Sequence, residues 1–174
     1  MKFFPEQMRT LTLVQPVLKK NAQDEKRLRL DFSMLLNAAN LKKAHDAVNS
    51  AFELVAMNDS GASSVEIAYK VATQKIEFYA TPTHKNPNMH VTSAELRGLC
   101  VARPNAEKHA EDIFLEFTTT VPMTKRLLDW AIENWGATVF ATFVDAQMSL
   151  MDAGGDADEP TLPLENKEAI EAEG

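Results

Sequence analysis

Residues 113–147, IFLEFTTTVPMTKRLLDWAIENWGATVFATFVDAQ, decide how the chain is read. Ile113, Leu115 and Phe117 alternate with Phe114, Glu116 and Thr118, the period-2 pattern of a strand with one face on a core. Pro122 suits the first turn of a helix, and Leu127, Leu128, Ala131 and Trp135 then fall on one side at helical spacing. Gly136 ends that helix. Val139, Ala141 and Phe143, set against Phe140, Thr142 and Val144, read as a strand apolar on both sides and so buried in a sheet. The unit is strand, helix, strand, and no catalytic or ligand-binding signature lies on it.

An earlier stretch has the same plan. Leu28-Arg29-Leu30-Asp31-Phe32 and Ile113-Phe114-Leu115-Glu116-Phe117 both follow an apolar strand and a polar connection, and both precede a helix and another strand. Phe32 and Phe117 are 85 residues apart (117 − 32). The spacing points to a tandem duplication of a ββαβ unit, residues 9–71 and 94–147, with chance similarity of two α+β segments as the competing explanation. The expected fold is a pseudo-twofold α+β domain, a largely antiparallel sheet with two helices packed on one face.

Outward from these two motifs, Leu11 to Leu18 reads as a first strand, with Pro16 at an edge or a bulge. Asn21 to Lys26 is a polar connection. One amphipathic helix is expected over Leu41–Val55, with Ala44, Val48, Ala51 and Phe52 on its apolar side, Asn37 or Asn40 as its cap and residues 58–61 (Asn-Asp-Ser-Gly) as its stop. Residues 63–80 read as two strands, Val65–Val71 and Ile76–Ala80; a helix opened by the capping box Ser63/Glu66 is the alternative. Thr81–Met89 is a loop, Val91–Val101 a strand, and Arg103–Glu111 a polar connection. Leu30, Phe32, Val48, Phe52, Leu115, Phe117, Leu128 and Phe143 form the expected core.

The chain has 174 residues, 45% hydrophobic and 25% charged, the balance of a globular domain with a proper core. Its net charge of −7 sits at one end. Residues 150–174 hold eight acids and one base, which leaves 17 bases (18 − 1) and 17 acids (25 − 8) in residues 1–149. The expected organisation is therefore one neutral domain, 1–149, and an acidic, disordered tail, 150–174. No apolar run approaches the roughly 20 residues that span a bilayer, and residues 1–6 lead into no signal-peptide core, so a cytoplasmic location is expected. Cys100 has no partner for an internal disulfide and lies between Leu99 and Val101, as a buried structural thiol would.

Motifs for chemistry are lacking. His45, His84, His90 and His109 show no zinc-ligand spacing, and His84, His90 and Cys100 are the one loose grouping. The six glycines form no phosphate loop, there is no GxSxG elbow, and Asp31 and Glu116 occupy equivalent outward strand positions suited to a solvated face. No cofactor, metal or catalytic residue is assigned, and no enzymatic activity is expected. Two binding surfaces are left. Lys19, Lys20, Lys26, Arg27 and Arg29 crowd the first hairpin and would contact the phosphates of a single strand, although Asp24 and Glu25 interrupt them and the phenylalanines fall at core spacing. Trp130, at the rim of its helix's apolar stripe, would anchor a protein interface. The leading expectation is a non-enzymatic accessory or inhibitory factor that binds another protein, with a homodimer among the forms considered. The alternative is a single-stranded nucleic-acid-binding protein with an autoinhibitory acidic tail.

Overall fold

In the computed structural model, residues 2–5, 7–57, 62–104 and 112–146 are described. The acidic tail, the helix stop at 58–61 and His109 lie outside them. Alternation of buried and outward side chains produces the long strands. From Lys26 to Leu35, Leu28, Leu30, Phe32 and Met34 point inward while Arg27, Arg29, Asp31 and Ser33 point out. In chain order the elements are β1 (Arg9–Lys20), β2 (Lys26–Leu35), α1 (Ala38–Leu41), α2 (Asp46–Ala56), β3 (Ser64–Glu66), β4 (Gln74–Tyr79), β5 (Met89–Ala94), β6 (Leu96–Ala102), β7 (Phe114–Pro122), α3 (Lys125–Glu133) and β8 (Thr138–Asp145).

The strands form one antiparallel sheet in the order β3-β6-β7-β2-β1-β8-β4-β5. Only Glu95 separates β5 from β6, yet β5 pairs with β4 near one end of that order and β6 pairs with β7 near the other. A single extended stretch thus joins the two ends, and the sheet curls into a barrel. Ring contacts agree. β7 and β8 are three places apart, about 14 Å in a flat sheet, whereas the rings of Phe117 and Phe143 lie 6.0 Å apart. Phe32 of β2 likewise meets Phe78 of β4 at 5.8 Å. The interior is filled by these rings together with Phe4, which stacks on Phe143 at 4.3 Å. All five phenylalanines are buried.

The pairing registers repeat at the offset of 85 residues (117 − 32). Thr12↔Ser33, Gln15↔Asp31 and Val17↔Arg29 become Arg97↔Thr118, Cys100↔Glu116 and Ala102↔Phe114, which are also Cα partners. The irregularity between Leu13 and Gln15 recurs between Arg97 and Cys100, where Gly98 takes φ 61°, a conformation that favours glycine. Phe32 and Phe117 pair with each other, as do Ile76 and Phe143 on the opposite wall.

β2 and β7 run antiparallel side by side, so the helices that follow them start from opposite ends of the pair. Their apolar sides join one core: Val48, Ala51 and Val55 from α2, and Leu127, Trp130 and Ala131 from α3. Some details differ from the sequence reading. The first helix is two. Asn37 caps α1 by accepting from Asn40 N–H at 2.9 Å, and the His45 ring caps α2 by accepting on Nδ1 from Ala47 N–H at 3.1 Å. Residues 42–45 thus turn between two capped starts. Because α2 buries positions 48, 51 and 55, Phe52 rotates to the margin and is only partly buried, as is Leu128. The other six expected core residues are fully buried. α3 ends at Glu133, so Trp135 leaves the stripe and is 61% exposed. Residues 63–80 do hold two strands, although the first has shrunk to three residues.

Candidate functional site

The turn between β1 and β2 is built by Asn21, whose side-chain oxygen accepts from the N–H groups of Gln23 (3.0 Å) and Glu25 (2.9 Å), while Asp24 takes φ 61°. This folds Lys19 back beside Arg27 and Lys20 beside Lys26. On the outer face the neighbouring strands continue the surface with Thr120 of β7 and Arg97 of β6. A cleft of about 500 Å3 opens there, lined by Lys19, Lys20, Arg27, Glu95, Arg97 and Thr120. A second cleft of about 600 Å3 shares Glu95 and Arg97 and extends along Lys70 to Thr73. The two clefts adjoin at Glu95 and Arg97, and the basic groove they make up has five cations and one carboxylate among its described lining residues.

Of the cations singled out in the sequence, the fold brings Lys19, Lys20 and Arg27 into the groove; Lys26 and Arg29 do not line it. Arg29 is held by Asp31, with Nε 2.8 Å from Oδ1 and Nη2 donating to Oδ2 at 3.0 Å; Gln15 donates to the same carboxylate at 2.9 Å. Lys70 and Arg97 were missed because they lie far from the hairpin in sequence. Lys20 meets Asp24 at 2.9 Å and Arg97 meets Glu95 at 2.7 Å, but these are exposed pairs of little energetic weight, so the cations stay available. The hydrogen bond from Arg97 holds the Glu95 carboxyl below its ordinary range, aided by the charges of Arg97, Lys70 and Arg27. Among the described residues no aromatic side chain lines the groove.

A second surface is apolar. Trp130 is buried with its ring 4.4 Å from Phe78, and it borders a shallow groove with Asn88, Met89 and Arg126. The exposed tryptophan is Trp135. Gly136 N–H donates to Leu13 C=O at 2.7 Å and Leu13 N–H donates to Ala137 C=O at 3.1 Å, which brings their chain neighbours Trp135 and Val14 to the same part of the surface. Val14, Leu18, Ile132 and Trp135 are each about half exposed or more (47%, 55%, 57% and 61%). β8 pairs with β1 only over Arg9–Thr12. Beyond Leu13, one edge of β1 therefore has no strand beside it among the described residues. A helix end signalled by Gly136 could have drawn attention to Trp135, and Pro16 marked the first strand as an edge or a bulge.

Cys100 and His45 are also placed by the described residues. Cys100 stands between Glu66 on β3 and Glu116 on β7, and burial, followed by those two charges, pushes its thiol up. His45 is a helix cap whose ring stacks on Phe3 and lies tilted against Tyr69, 4.4 Å away. Among the described residues no cluster of three or more His, Cys, Asp or Glu side chains could hold a metal ion, and no helix is long and apolar enough to cross a membrane. Comparisons with known protein families, with curated proteins and with solved structures find no match.

Proposed function

We propose that the protein is a non-enzymatic accessory or inhibitory factor that works by binding another protein, and that it docks through the open edge of β1. The observation that carries this reading is the 61% exposed Trp135 beside Val14 and the unpaired stretch of β1. Exposed apolar side chains close to a stretch of β1 that no described strand pairs on that side suit an added strand, whose main chain would pair with β1 while Trp135 anchors its side chains. Pro16 removes one donor and Lys19 and Lys20 charge the end of the edge, devices that discourage indiscriminate pairing.

The repeated registers support a tandem duplication and tell what such a partner would resemble. The equivalents of Gln15 to Val17 are Cys100 to Ala102, and there β3 lies antiparallel alongside, Ser64↔Ala102 and Glu66↔Cys100. One half of the molecule thus covers with its own strand the edge that the other half leaves open. An extended segment of another protein, or β1 of a second copy, is the matching occupant.

A second reading, single-stranded nucleic-acid binding, is favoured by the basic groove. It ranks lower because stacking platforms are missing from the groove while Phe4, Phe32, Phe78, Phe117 and Phe143 are sealed in the barrel. Affinity capture from the native cell extract, with and without nuclease, separates the two. A protein captured equally after nuclease treatment and lost with Trp135→Ala supports docking at β1; capture abolished by nuclease or by Arg27→Glu, and indifferent to Trp135→Ala, refutes it.

A further inference from the structure

We propose that the groove between Lys19 and Lys70 is an anion-binding site whose occupant is the chain's own C-terminal segment, residues 150–174. This inference does not rest on the docking reading, which uses the apolar strip. Three observations converge on it. Among the described residues Lys19, Lys20, Arg27, Lys70 and Arg97 line the groove against Glu95 alone, so both of its clefts carry excess positive charge. The C-terminal segment carries the opposite excess, eight acids against Lys167, whereas residues 1–149 are balanced. The third observation is where the described chain ends. Ala146 N–H donates to Thr73 C=O at 2.9 Å, and Thr73 lines the second cleft, so the chain leaves the barrel at the rim of the groove.

Reach is ample. Asp152 is six residues past Ala146 (152 − 146), about 20 Å of extended chain, and Asp156, Asp158 and Glu159 follow within another seven. Tethering at the rim gives these acids a local concentration on the order of millimolar, enough for weak exposed ion pairs to hold the segment in place collectively. Such contacts are screened by salt over about 10 Å at 0.1 M, so the segment is released as ionic strength rises. Any external polyanion must displace it first.

The test uses the full chain and a full-length variant with Asp152, Asp156, Asp158 and Glu159 replaced by Asn or Gln. Amide chemical shifts of the two should differ at Lys19, Arg27, Lys70 and Arg97, and the wild type should move toward the variant in 0.5 M salt. A fluorescein-labelled deca-aspartate peptide should bind the variant at least about tenfold more tightly than the wild type. That gain should disappear when Arg27→Glu and Arg97→Glu are added. Shift differences confined to the tail or clustered at Val14 and Trp135, or equal peptide affinity for the two chains, would overturn the proposal. So would tight binding of single-stranded (dT)10 by the wild type with no change in the variant, because the groove would then be open to nucleic acid in the native chain.

Discussion

Replacing Phe117 by Ala tests the closed barrel through its energetics. Phe117 is 1% exposed and its ring meets three others: Phe4 at 5.5 Å, Phe32 at 5.6 Å and Phe143 at 6.0 Å. Those partners come from the N-terminal segment, β2 and β8, so the truncation opens a cavity that no single neighbour can fill. Loss of a buried phenylalanine costs about 3–5 kcal/mol, and the three ring pairs keep Phe117 clear of the lower end, at about 4 kcal/mol. A domain of this size has a stability on the order of 5–15 kcal/mol, so the variant should still fold. Urea unfolding followed by circular dichroism should show the midpoint falling by about 2 M if the slope is ~2 kcal/mol per M and unchanged. A loss below about 1 kcal/mol would mean that Phe117 is not sealed between opposite walls, and the curled sheet would be wrong.

Phe52→Ala, at the margin of α2, should cost only about 1–2 kcal/mol in the same assay, and a loss matching that of Phe117→Ala would put Phe52 in the core. Trp135→Ala should leave the urea midpoint nearly unchanged, within about 0.5 kcal/mol, because the ring is exposed. Cys100 should react with a thiol reagent at neutral pH more slowly than free cysteine, and Glu116→Gln should speed it; a fast reaction would contradict the raised thiol. Glu77 is held below the ordinary glutamate range first by its hydrogen bond with Lys75, at 2.7 Å, so its contribution is full above the unfolded pKa. The stability difference between wild type and Glu77→Gln should therefore shrink as pH falls below about 4.3, and a difference that grows on acidification would refute the assignment.

Much of the fold was legible because alternation is a local property. Leu28, Leu30, Phe32 and Met34, like Leu115, Phe117 and Val121, face inward because alternate residues of a strand share a face, and β7, α3 and β8 follow one another as residues 113–147 suggest. Closure was hidden because periodicity tells which side chains face in, not which strands meet; nothing around Glu95 signals that its two flanks pair with opposite ends of the sheet. The break before α2 escaped notice because a histidine cap looks like any polar residue on a helix face. The candidate surfaces were legible only in part. Lys19, Lys20 and Arg27 are neighbours in sequence or across one turn, while Lys70 and Arg97 arrive through long-range pairing. Trp130 and Trp135 exchanged roles because the helix stops two residues before Trp135 (135 − 133).

Site-specific photocrosslinking addresses the docking claim most directly. A photoreactive benzoylphenylalanine placed at Val14 or at Trp135 in the full chain, irradiated in native extract, should yield a discrete protein adduct that survives nuclease. The same group at the exposed loop residue Lys85 should yield none. Adducts absent from both apolar positions, or nucleic-acid adducts formed from positions Lys19 and Arg27 instead, would contradict docking at the open edge of β1.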